Sequence, residues 1–106
     1  MKRGEIWTIQ DRQYASKARP VVVIQSDKHD SFDSVILCLF TSFESGNIST
    51  RVPVEPSAEN GLQKKSFVMT DKIVTVDKKM LGKCVGVLSD ENMTAVSEQL
   101  KIILGL

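Results

Sequence analysis

The chain has 106 residues, of which 42% are hydrophobic and 25% charged, with a formal net charge of +1. That length buries one core and leaves no room for a second, so residues 1–106 are read as a single domain. Near-neutral charge excludes a chain-wide polyanion surface and confines any nucleic-acid site to a local patch. No apolar run approaches the ~20 residues a bilayer requires, and the opening Met1-Lys2-Arg3-Gly4-Glu5 is too polar for a secretory leader. A cytoplasmic protein without membrane contact is expected.

The elements follow in chain order. Arg3-Gly4-Glu5-Ile6-Trp7-Thr8-Ile9 alternates, predicting a half-buried first strand with Glu5, Trp7 and Ile9 on one face and Ile6 on the other. Residues 10–18 read as a polar loop carrying Asp11, Arg12, Tyr14 and Lys17. Val21-Val22-Val23-Ile24 is apolar without alternation, as in a strand buried on both faces. It is preceded by Arg19-Pro20, where the proline fixes its own φ and biases the arginine towards extended backbone. Residues 27–33 form a charged turn containing the single histidine, His29.

A second apolar run, from Val35 to Phe40, ends in the hydroxyls of Thr41 and Ser42. Gly46-Asn47 is a turn pair, and Pro53 within Arg51-Val52-Pro53-Val54-Glu55 marks an edge strand, because proline cannot donate to a ladder. Ser66 to Thr70 is read as a strand running on to Thr75, residues 76–82 as a helical turn stopped by Gly82, and Cys84 to Leu88 as a last short strand. Cys38 and Cys84 both lie in apolar segments and are expected as buried thiols. Ser89 is an N-cap, followed by acidic Asp90 and Glu91 in the first turn. Met93, Val96, Leu100, Ile103 and Leu104 then recur at helical spacing up to Gly105. The fold class is mainly β with α: a small, strongly bent sheet or barrel closed by one C-terminal helix.

The residues restrict the chemistry. The glycines are scattered, so there is no phosphate-binding loop, and no ligand spacing suits a metal or requires a cofactor. His29 sits in a charged turn and has no partnered serine or cysteine. What these residues do permit is chemistry on an anion by arginine and hydroxyls. Arg19, held at a strand mouth, supplies fixed charge and donors; Thr41 or Ser42 can hydrogen-bond a phosphoryl oxygen.

The segments Arg3-Gly4-Glu5-Ile6-Trp7, Ala18-Arg19-Pro20-Val21-Val22-Val23-Ile24-Gln25, Val35 to Ser42, Val68 to Asp77 and Val87 to Leu106 together resemble the MazF/PemK family, the toxins of type II toxin–antitoxin pairs. The resemblance implies an SH3-like barrel with a C-terminal helix, a homodimer, and metal-independent, sequence-specific cleavage of single-stranded RNA through the substrate's 2′-OH. It also implies an antitoxin partner that occupies the RNA groove. Carried onto this chain, Arg19 is the essential cation and candidate general acid, and Thr41 the hydroxyl at the scissile phosphate. Ser42, Lys17, Arg12, Tyr14, Asp71 and Lys72 are the candidate substrate contacts. Relatives often have a glutamine where this chain has Lys72. A CcdB-type toxin, which inhibits DNA gyrase from the same barrel, is the alternative. Those act through a terminal aromatic, whereas this chain ends Ile102-Ile103-Leu104-Gly105-Leu106.

Overall fold

The computed structural model describes residues 1–11, 15–44 and 46–106, with residues 11 and 15–17 described by backbone alone. The strands are β1 (Glu5–Asp11), β2 (Ala15–Val23), β3 (Ser34–Thr41), β4 (Val52–Val54), β5 (Ser66–Asp77) and β6 (Leu81–Val87), followed by helix α1 (Asp90–Leu104). They make one six-stranded sheet in the order β4-β5-β3-β2-β1-β6, in which every pairing is antiparallel. Among the described residues β4 and β6 remain edges, so the bent sheet is barrel-like but open along one seam. Pro53 lies on edge strand β4, where a missing donor costs no ladder bond.

The unbroken apolar runs occupy the middle of this sheet because they have two faces to bury. Ile6, Val22, Cys38, Phe40, Val52 and Val68 face one way and pack with Leu88, Met93, Val96 and Leu100 from the helix side. Ile9, Val21, Val23, Val35, Leu37 and Val76 face the other, with Trp7 and Leu39 packed against them. Trp7, expected in the core, is half-buried at the margin of this second cluster, its Nε1 donating to Glu5 Oε1 at 3.1 Å. The two faces of the strand pattern become two apolar clusters on either side of one sheet.

The helix starts where the residues direct it to. Ser89 Oγ accepts from the Asn92 N–H at 3.1 Å, and Gly105 closes the helix with φ 71°, a left-handed conformation that glycine adopts without strain. Leu88 and Met93 share the helix-side core. The predicted core stripe stops short, however: Met93, Val96 and Leu100 are buried, but Ile103 and Leu104 are exposed.

Other expectations also change. β1 runs to Asp11 and β2 starts at Ala15, so most of the predicted loop 10–18 is paired backbone. Polar composition does not prevent this, since a strand satisfies its backbone in the ladder whatever its side chains. The helical turn after β5 is a short 3₁₀ turn, Lys78–Met80, and Gly82 lies inside β6 rather than ending the turn. Cys38 is buried, as expected, but Cys84 is exposed because β6 is an edge strand with little packed over it.

One irregularity lies near the middle of the sheet. Leu39 pairs with Met69, but its neighbour Cys38 pairs with Ile73, so Thr70, Asp71 and Lys72 bulge out of the β3–β5 ladder.

Candidate active site

The β2–β1 ladder continues through Pro20 opposite Thr8 and Arg19 opposite Ile9, whereas the β2–β3 ladder runs only from Val23 to Val21. It stops beside Pro20, which has no N–H with which to extend it. Carrying the Val21–Leu39 register two residues further sets Arg19 opposite Thr41. Where β2 and β3 part, a cleft of about 140 Å³ opens, lined by Arg19, Pro20, Phe40, Thr41 and Met69, with Ile9, Val21 and Leu39 at its base. The proline that orients the arginine therefore also marks the end of the ladder that would have closed this space.

The two reactive side chains are differently prepared. Arg19 is exposed and has no hydrogen-bond or ion-pair partner among the described residues, so its guanidinium is available to an anion. Thr41 is half-buried, and its Oγ1 accepts from the Phe43 N–H at 3.1 Å. That bond orients the hydroxyl through an acceptor lone pair and leaves its proton to donate elsewhere. Ser42 is exposed beside it. A free cation and an oriented hydroxyl donor across a small cleft form a receptor for a tetrahedral anion such as a phosphodiester.

The other candidates divide. Arg12 and Tyr14 lie outside the described residues, as does the side chain of Lys17, whose backbone belongs to β2. Lys72 is exposed on the bulge. Asp71 is adjacent, but both of its oxygens are taken: Arg51 Nε donates to Oδ1 and Nη2 to Oδ2, each at 3.1 Å. The Arg51 guanidinium holds the Asp71 carboxyl below the usual carboxylate range. Arg51 appears in sequence only as the start of an edge strand. Its charge is opposite to that of Asp71, but without the β4–β5 register that does not identify the pair.

Among the described residues, no three His, Cys, Asp or Glu side chains gather as a metal site. His29 stacks on Phe32 at a centroid separation of 5.5 Å, in an exposed turn away from the cleft. A larger groove of about 800 Å³ lies on the opposite, helix-side face of the sheet. It is lined by Ile24, Phe32, Ile36, Ile73, Leu100 and Leu104, and Arg3 there is already bonded to Ile24 O and Ser97 Oγ. No helix among the described residues is long and apolar enough to cross a membrane.

Comparison with known proteins agrees with this arrangement. Residues 2–104 match the family described as PemK-like, MazF-like toxin of type II toxin-antitoxin system. A probable endoribonuclease MazF of Mycolicibacterium smegmatis is 36% identical over 107 aligned positions, spanning 100% of this chain and 98% of that protein. The Mycobacterium tuberculosis toxin MazF-mt6 superposes with a TM-score of 0.81 at 28% identity, covering 96% of this chain and 97% of that one. An endoribonuclease solved with its cognate antitoxin from a mycobacterial species gives 0.84 at 25% identity, covering 100% and 96%. A bent antiparallel sheet with one terminal helix, an unpartnered Arg19 sharing a cleft with Thr41, and near full-length similarity agree: this chain belongs to the family of PemK-like, MazF-like toxins of type II toxin–antitoxin systems.

Proposed function

We propose that this protein is an endoribonuclease toxin that cuts single-stranded RNA at specific sequences and is held inactive by a cognate antitoxin. The observation that carries the reading is the partnerless Arg19 lining one cleft with Thr41. In the proposed reaction the RNA's 2′-OH loses its proton to solvent, the 2′-oxygen attacks the adjacent phosphorus, and the bond from phosphorus to O5′ breaks as O5′ takes up a proton. A 2′,3′-cyclic phosphate and a 5′-OH result, and DNA, lacking the 2′-OH, is left intact. Arg19 neutralises the charge that develops on the phosphoryl oxygens and, as the candidate acid, gives the departing O5′ a proton that it regains from solvent; Thr41 donates its free proton to a phosphoryl oxygen. Asp71 is a poor base, because an ion-paired carboxylate held below its usual range is shifted away from neutrality.

The proposed partners are RNA, the antitoxin and a second copy of the chain. The exposed Ile102, Ile103, Leu104 and Leu106 beside the helix-side groove support a homodimer, since one apolar stripe already suffices for the core. Acting on mRNA assigns the protein to the cytoplasm.

The test is cleavage of a long RNA in EDTA, with the product ends analysed and the cut sites mapped by primer extension. Loss of one charged transition-state contact in Arg19→Ala should slow cleavage by about 10²–10³ or more. Arg19→Ala cutting within about threefold of wild type would overturn the reading, because that is far below any such contact. A gyrase supercoiling assay run in parallel should show no inhibition.

A further inference from the structure

Arg51 and Asp71 form the one fork-to-fork ion pair among the described residues, and its location gives it a purpose. Carrying the β4–β5 register one residue beyond Val52–Val68 sets Arg51 beside Met69, a wall of the Arg19–Thr41 cleft. Both guanidinium bonds to Asp71 are 3.1 Å, and the two side chains are only 13% and 22% exposed. Paired bidentately and largely out of water, they hold their geometry better than a solvated surface pair. Next to them the Thr70 hydroxyl donates to the Thr50 carbonyl at 2.6 Å. Together these bonds fasten residues 50 and 51 to the β5 bulge.

What they fasten is the far end of residues 42–50. Its near end is Thr41, whose Oγ1 takes the Phe43 N–H. The segment therefore leaves the cleft at Thr41 and comes back to it at Arg51. Between these anchors Ser42, Phe43, Glu44, Gly46, Asn47 and Ser49 are exposed, Phe43 by 74%. An exposed aromatic and polar backbone fixed at both ends beside a phosphate receptor suit contact with the bases of a single strand.

We propose that the Arg51–Asp71 pair is a positioning brace. It holds residues 42–44 and 46–50 in the conformation that receives the nucleotides flanking the scissile phosphate, and so sets which sequences are cut. Neither side chain touches the RNA. The proposal rests on the endoribonuclease reading and deepens it, and it gives Asp71 a role other than direct substrate contact.

The experiment compares wild type, Arg51→Ala, Asp71→Ala, Arg51→Lys and the exchanged pair Arg51→Asp/Asp71→Arg. Steady-state cleavage of a labelled RNA, sequencing of product ends, and amide hydrogen exchange over residues 42–50 are read for each. A loop misplaced by about an ångström costs up to 10²-fold, so each alanine variant should raise KM about tenfold with kcat within about threefold, and should broaden the cut-site preference. Arg51→Lys, with one donor aimed instead of two, should fall between, and the exchanged pair should recover KM to within about threefold of wild type. Exchange over 42–50 should follow the same order. If the exchanged pair restores slow exchange but not KM, the side chains contact RNA directly and the proposal fails. Faster exchange in the alanine variants with unchanged KM and cut sites also overturns it, leaving the pair a purely structural contact. A wild type that cut no RNA would overturn the endoribonuclease reading instead, while the exchange comparison would still decide whether the pair orders the loop.

Discussion

Replacing Thr41 by valine tests the cleft at its hydroxyl while leaving the strand almost unchanged. Valine keeps the β-branched shape that β3 favours and removes a single oxygen. Two interactions go with it: the bond from the Phe43 N–H at 3.1 Å, and, in the proposed reaction, the proton offered to a phosphoryl oxygen. The first is a neutral bond at a half-buried position and is worth about 0.5–1.5 kcal/mol of stability. Against a domain stability of about 5–15 kcal/mol that leaves the protein overwhelmingly folded, so reduced activity cannot come from unfolding. The second is a donor to a group whose charge grows in the transition state. In an open cleft of about 140 Å³ it belongs at the lower end of the range for such donors, about 10²-fold or 2.7 kcal/mol. Single-turnover cleavage of a labelled RNA, with thermal melts of the same samples, reads both effects. Thr41→Ser retains the hydroxyl but frees its χ1, and should recover most of the rate. Thr41→Val cutting within about threefold of wild type would refute the donor role, because the loss of such a donor should cost about 10²-fold. A serine variant as slow as the valine variant would refute it equally.

Two further predictions concern the scaffold. Burial, and next the negative Asp71, push the Cys38 thiol up to about 12. An unfolded thiol ionises near pH 8.5, so the raised folded value favours the native state fully below that pH and the benefit is lost as pH rises towards 12. Between about pH 9 and 10 the wild type should lose about 1 kcal/mol more stability than Cys38→Ala, measured by urea denaturation; parallel pH curves would contradict this. Ser89→Ala removes the side-chain acceptor for the Asn92 N–H and should cost about 1 kcal/mol in the same assay, with an unchanged midpoint counting against the cap.

The parts of the fold legible in the sequence are those set by local pattern. Val21, Val22 and Val23 can be buried on both faces only inside a sheet, and Ser89, Asp90, Glu91 and Gly105 bracket a helix by their own backbone chemistry. Arg19 and Thr41 could be named from motifs, but their meeting depends on the β2–β3 register, a non-local fact. The brace was hidden for the same reason. Nothing near Arg51 says that a bulge will carry Asp71 to it, and charge alternation along one strand does not identify the partner on the next. Cys84, Ile103 and Leu104 show the limit of hydrophobicity as a guide to burial: each has an apolar character that its position leaves uncovered. The paired backbone at the ends of β1 and β2 shows the converse, since polar residues can extend a hairpin once the ladder is started.

The bulge at Thr70, Asp71 and Lys72 also bears on how such a protein can diversify. In any regular stretch of β5, gaining or losing one residue would turn every side chain beyond it to the wrong face, exposing Val68 or Val76. At the bulge the ladder is locked on either side, by Leu39 with Met69 and by Cys38 with Ile73. Chain length there can vary without disturbing the inward and outward order of the core, provided that buried Thr70 and paired Asp71 keep their bonds. The fold thus holds a natural insertion point beside its reactive cleft, where a lineage could try new substrate preferences while the hydrophobic scaffold stays in register.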